Sequence, residues 1–95
     1  MTLEQQEKMI KLLAVLFPTA TIYLFGSRAR GTHSVTSDVD VAINAGKRIS
    51  GLDLVQARNI IEALNISQTV DLADFHALPK NMQDTILKEG IIWKQ

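Results

Sequence analysis

No cysteine occurs among the 95 residues, which excludes disulfides and thiolate metal sites. Net charge is missing as well. Ten basic residues balance ten acidic ones, and no basic block stands out, so affinity for the phosphates of long nucleic acids is not expected. No apolar run approaches the length of a bilayer span, and MTLEQQEKM lacks the basic start and apolar stretch of a secretion signal. No membrane association and a cytoplasmic location are the expectations. There is no internal repeat and no low-complexity stretch. What is present is a composition of 46% hydrophobic and 21% charged residues, as in a globular domain with a modest core. The length predicts one domain over residues 1–95, too short for a catalytic core plus a separate substrate domain, so a second chain is expected to supply the rest. A domain this small leaves apolar surface uncovered, which again points to assembly with a partner.

Thr2 and Gln5 have the spacing of a capping box, and Leu3, Met9, Ile10, Leu12, Leu13, Leu16 and Phe17 recur at helical spacing, predicting a helix over 2–16 that stops near Pro18. Its apolar residues cover more than half its circumference, which makes this helix a candidate interface. Thr19 to Phe25 is β-branched and aromatic and reads as a strand ending at Gly26. Residues 26–37 form a loop with a short helical turn at Ser27 to Arg30, and Asp38 to Ile43 alternates as a second strand. Ser50 caps a helix over about 52–64, carried by Leu54, Ala57, Ile61 and Leu64. Val70 to Phe75 is a third strand. Pro79 as first helical residue and Gly90 as C-terminal cap bracket a last helix with Met82, Ile86 and Leu87 as its stripe, and Ile91 to Trp93 adds a short strand. Phe17, Phe25, Phe75 and Trp93 are expected in the core, with a partner interface as the other possibility for Trp93. The fold class is α/β (α+β): a mixed three- to four-stranded sheet with helices packed on it.

The chemistry lies in the second strand. Alternation sends Asp38 and Asp40 to one face and Val39, Val41 and Ile43 to the other, so one face is wet and acidic and the opposite one is core. The two acids leave the backbone roughly 6.6 Å apart and can converge on a point between them. Two charges brought to about 4 Å repel by about 4 kcal/mol at an effective dielectric of 20, a cost that a bound cation turns into attraction. Oxygen-only donors suit a hard ion such as Mg²⁺, which takes one or two carboxylates plus substrate phosphates. Asp71 opens the third strand pattern. If that strand lies beside the second, its carboxylate reaches the same site as a further metal ligand or as general base. Asp74 alternates to the other face and is the weaker candidate.

Phosphate needs donors, and Gly26-Ser27 offers them at the end of an apolar strand: glycine lets backbone approach an anion, and the turn presents the Ser27 hydroxyl and amides. Arg28 and Arg30 are two apart on a helical turn, so only one of them faces a triphosphate. Ser37, just before Asp38, is a further donor. His33 and His76 have no second ligand beside them and receive no role. Taken singly, Gly-Ser is an ordinary turn and Asp-x-Asp an ordinary solvated strand face. Their order and spacing, with a third acid later, make the combination specific.

GSRARGTHSVTSDVDVAI, Gly26 to Ile43, resembles the signature of the polymerase-β-like nucleotidyltransferases, Gly-Ser, a spacer, then Asp-x-Asp. With its spacer of ten residues, the Ala29-Arg30-Gly31 run and Ser37 before Asp38, it is most similar to the minimal nucleotidyltransferases. VDLADF around Asp71 and the terminal EGIIWK extend the resemblance over nearly the whole chain. The resemblance implies that Gly26 and Ser27 hold the triphosphate with support from Arg30 and Ser37, and that Asp38, Asp40 and Asp71 hold Mg²⁺. It implies transfer of a nucleoside monophosphate, commonly AMP from ATP, to a hydroxyl with release of pyrophosphate. Minimal members are commonly paired with an all-helical HEPN protein, a toxic ribonuclease that the nucleotidyltransferase neutralises by adenylylating a tyrosine. The alternatives are a non-catalytic antitoxin acting by occlusion, and an antibiotic-type small-molecule nucleotidyltransferase whose acceptor domain comes in trans.

Overall fold

The computed structural model describes residues 1–95. Thr2 caps α1 (Leu3–Leu16) as expected: its hydroxyl accepts the Gln5 amide at 3.1 Å, and the Gln5 side chain accepts the Thr2 amide at 2.9 Å. The turn around Pro18 delays β1 to Thr21–Phe25, two residues later than the β-branched run predicts. Ser27–Arg30 form the short helix α2, and β2 follows over Val39–Asn44. Ser50 caps α3 (Gly51–Glu62) by accepting the Asp53 amide at 3.1 Å. β3 runs over Val70–Asp74, α4 over Lys80–Glu89 and β4 over Ile91–Lys94. Pro79 occupies the cap position of α4, one residue ahead of the first helical position assigned to it.

The sheet order is β3-β2-β1-β4, with β1 antiparallel to both of its neighbours and β2 parallel to β3. A parallel pair needs a crossover, and α3 supplies it. Neither edge is a plain open ladder. At β3, Arg58 of α3 donates to the Leu72 carbonyl at 3.0 Å. At the other side, β4 is four residues long and shifts register against β1 between Ile22 and Tyr23.

α1 and α3 pack on one face, where Met9, Leu13, Ile22, Val39, Val41, Ile43, Ala57, Ile61 and Leu72 belong to a cluster of 11 buried residues. The opposite face is the one that alternation makes wet and acidic at Asp38 and Asp40. Beyond the acids, α4 lays Ile86 over it, and Tyr23, Ala42, Phe75 and Ile86 form a second, smaller core. The side chains alternate as predicted, but α4 covers the far half of the acidic face, so that face is open only at its Asp38 and Asp71 end. Phe75 is buried as expected, whereas Phe17, Phe25 and Trp93 are only partly so. Met82 and Leu87 of the α4 stripe stay exposed. No helix is long and apolar enough to cross a membrane.

Candidate active site

Asp40 is the centre of the site. In register, it lies between Phe25 of β1 and Asp71 of β3, and register partners project from the same face of a sheet. Asp38 stands two residues earlier, just ahead of β2 and exposed, while Asp40 is partly buried and Asp71 is exposed. Burial holds the Asp40 carboxyl above the usual carboxylate range, and the charges of Asp71 and then Asp38 push it further in the same direction; Arg30 opposes them. Asp71 and Asp38 thus both act electrostatically on Asp40. The three acids are not drawn into a closed cage, since no group of three ligating side chains is gathered tightly enough to hold an ion by itself.

Gly26 sits against Asp40. Its backbone has φ 75° and ψ −153°, a conformation essentially reserved for glycine. A Cβ at this position would run into the Asp40 carboxylate oxygen. Glycine is required here for two reasons, the turn from β1 into α2 and the close approach of main chain to the acid. Ser27 opens α2, so its amide is among those left without an acceptor inside the helix. Its carbonyl accepts the Thr32 amide at 3.0 Å, and Gly31, at φ 75°, ends the turn.

The two arginines part company as their spacing predicts. Arg28 turns back to the loop and donates from Nε and Nη2 to the Ser37 carbonyl at 3.4 and 3.1 Å, holding the chain just before Asp38. Arg30 faces the acids closely enough to lower the Asp40 pKa, and its Nη1 lies 3.9 Å from Glu89 Oε2 at the end of α4. The Ser37 hydroxyl accepts the Ser34 amide at 3.0 Å and lies 3.3 Å from the Ser34 hydroxyl, so it closes a turn of the loop. His33 is exposed in that loop.

Asp74 is on the other face and is fully engaged. It is 6% exposed, and accepts the Ile49 amide at 2.9 Å and the His76 amide at 3.2 Å. The second of these bonds ends β3 one residue before the predicted Phe75 and starts a 3-10 turn over Phe75–Ala77. His76 Nε2 meets Asn44 Oδ1 at 2.9 Å, a link between β2 and that turn. Sequence reasoning missed Arg28 as a loop anchor and Glu89 as the partner of Arg30. The Arg28-to-Ser37 spacing carries no signal of its own, and Glu89 is 59 residues from Arg30 in the chain.

Residues 7–94 match the family Polymerase beta, Nucleotidyltransferase. A Methanocaldococcus jannaschii protein, provisionally named a protein adenylyltransferase, is 32% identical over 68 residues, 72% of each chain. Among solved structures, a chain of a toxin–antitoxin complex crystallised with AMP-PNP superposes with a TM-score of 0.78 at 27% identity, over 95% of this chain and 73% of that one. A chain from the complex of the tri-AMPylated Shewanella oneidensis HEPN toxin with its MNT antitoxin gives 0.74 at 24% identity, over 100% and 74%. A minimal nucleotidyltransferase structure gives 0.73 at 24% identity, over 96% and 95%; these last two likenesses concern the fold. The architecture is that of the minimal nucleotidyltransferases, and with Gly26-Ser27 set against an Asp38-x-Asp40 pair and Asp71 in register beside it, the chain belongs to the polymerase beta nucleotidyltransferase family.

Proposed function

We infer that the 95 residues act as one minimal nucleotidyltransferase domain that transfers AMP from ATP, with Mg²⁺, to a hydroxyl of a separate protein. The observation that carries this is Asp40, in register beside Asp71 and packed against Gly26 at the turn from β1 into α2. The donor set fits a hard cation: it is all oxygen, and burial, followed by the charges of Asp71 and Asp38, disfavours the ionised Asp40 carboxylate when no cation is bound. An open arrangement suits Mg²⁺, which completes its octahedron with water and substrate phosphate oxygens. Asp38 and Asp40 would hold the ion, with Asp71 joining them; when bound, it neutralises charge on the phosphates and on the leaving pyrophosphate.

The chain's own groups do the positioning. Gly26 and Ser27 bind the β- and γ-phosphates through main-chain amides and the Ser27 hydroxyl, Arg30 adds a charge-assisted bond, and Ser37 donates from the far side of the loop. The acceptor oxygen attacks the α-phosphorus in line as the bond to the bridging oxygen breaks, and pyrophosphate leaves with the electron pair. Asp71 accepts the hydroxyl proton, because it is the exposed carboxylate beside Asp40. Similarity to a chain from a toxin–antitoxin complex supports a toxin as the partner; the family resemblance of the sequence extends this to a HEPN-type all-helical protein, a tyrosine of that protein as acceptor, and an antitoxin role in the cytoplasm.

The test is incubation with labelled ATP, Mg²⁺ and a co-expressed HEPN partner. Label on a partner tyrosine, lost with Asp38→Asn or Asp40→Asn, is the expected result. Neutralisation of the toxin by these variants without label would instead establish occlusion. Pyrophosphate release only with small hydroxyl compounds would make the acceptor a small molecule.

A further inference from the structure

One ion pair joins two elements that flank the site. Arg30 Nη1 of α2 and Glu89 Oε2 of α4 are 3.9 Å apart, with side chains 50% and 46% exposed. Both residues border a largely apolar cavity of about 180 Å³ between the two helices, lined also by Phe25, Gly26, Met82 and Ile86. The position of Glu89 is built in. The Gly90 amide bonds to the Ile86 carbonyl at 2.8 Å, and a Cβ on Gly90 would lie 2.5 Å from that oxygen, so α4 turns tightly into β4. β4 then pairs Ile91 with Leu24, which places Glu89 beyond Leu24, toward Phe25 and Gly26.

Nothing in α4 itself calls for an acid there. Glu89 is the last residue of the helix, where the helix dipole is negative and carboxylates are disfavoured. Its favourable interaction is with Arg30, which also carries the positive charge felt by Asp40. We propose that Glu89 is the resting counter-ion of Arg30 and competes with the triphosphate for it, so that nucleotide binding exchanges one partner of the guanidinium for another. This rests on Arg30 as a phosphate-binding residue. The geometry favours competition over support: a single contact at 3.9 Å between half-exposed groups is not the bidentate clamp that fixes an arginine. A triphosphate oxygen at hydrogen-bond distance outbids it, and the unpaired carboxylate left behind repels the ligand.

Glu89 is therefore a positioning residue that sets nucleotide affinity. The experiment is equilibrium binding of Mg²⁺-ATP by calorimetry, without acceptor, for the full chain and for Glu89→Gln, Arg30→Gln and the double variant. Glu89→Gln is expected to bind about two- to fivefold tighter at low salt, with the gain fading by about 0.5 M salt. In steady-state transfer the same change is expected in KM and not in kcat. Arg30→Gln is expected to bind more weakly, and adding Glu89→Gln to it to change nothing further. Equal or weaker binding by Glu89→Gln, or the same gain in the Arg30→Gln background, overturns the proposal while leaving the proposed function standing. Failure of the unaltered chain to bind Mg²⁺-ATP overturns both.

Discussion

On one face of the sheet, α1 and α3 close over Ile22, Val39, Val41, Ile43 and Leu72 in a cluster of 11 buried residues. On the other, α4 closes over Tyr23 and Ala42 in a cluster of 4, and leaves Asp38 and Asp71 open to solvent. The two faces treat the same side chain in opposite ways. Asp74, on the closed face, is buried against two main-chain amides that satisfy it. Asp40, at the edge of the open face, has its pKa raised first by its own partial burial and then by the charges of Asp71 and Asp38. The closed face holds the fold together, and the open one accumulates negative charge that only a cation relieves.

The largest effect that separates the faces is expected from Asp40→Asn. Transfer should fall on the order of a hundred- to a thousandfold, the scale for removing a group that stabilises the reacting charge. Radiolabel transfer at saturating ATP measures it, and near-normal turnover would remove Asp40 from the chemistry. Leu13→Ala, on the closed face, should cost about 2–5 kcal/mol of stability through the cavity it leaves, read from the urea midpoint, with nucleotide affinity of the folded protein unchanged. Asp74→Ala should cost about 1–3 kcal/mol by orphaning the Ile49 and His76 amides; an unchanged midpoint would mean that water takes over both bonds.

The smallest effect has the opposite sign. Because the folded-state pKa of Asp40 is raised above 3.8, its ionised form disfavours the fold at neutral pH. As pH falls through the raised value the native state takes up the proton first, so the penalty shrinks between that value and 3.8 and is gone only below 3.8, where both states are protonated. With chelator present, Asp40→Asn should melt higher than the unaltered chain at pH 7, the gap closing as pH drops toward that lower limit. Adding Mg²⁺ should raise the Tm of the unaltered chain and not that of the variant. A gap that widens on acidification would reverse the electrostatic account.

Much of this was legible in the chain. A two-residue period is enough to put Asp38 and Asp40 on one side of β2, and Gly26 after an apolar strand marks a turn that tolerates no side chain. The family resemblance pointed to Arg30 rather than Arg28, and the structure turns Arg28 away to the Ser37 carbonyl. Three things were out of reach. That β3 lies beside β2 was a condition to be met, since pairing between segments some thirty residues apart leaves no periodic trace. That α4 crosses the acid-bearing face depends on the handedness and length of the β3-to-β4 connection, which Met82, Ile86 and Leu87 do not encode. The end of β3 at Asp74 was missed because its side chain competes for the His76 amide, an interaction that strand propensity ignores.

The guanidinium of Arg58 over the Leu72 carbonyl, and the brevity and slipped register of β4, have a consequence for how this molecule meets others. Main-chain recognition, in which a visitor zips onto an exposed ladder, is disfavoured at the β3 margin by the Arg58 cap and at the β4 margin by the shortness of the strand. Contact through side chains, which an all-helical visitor can provide, is favoured instead, and copies of the chain find a poor template for pairing edge to edge into a ribbon.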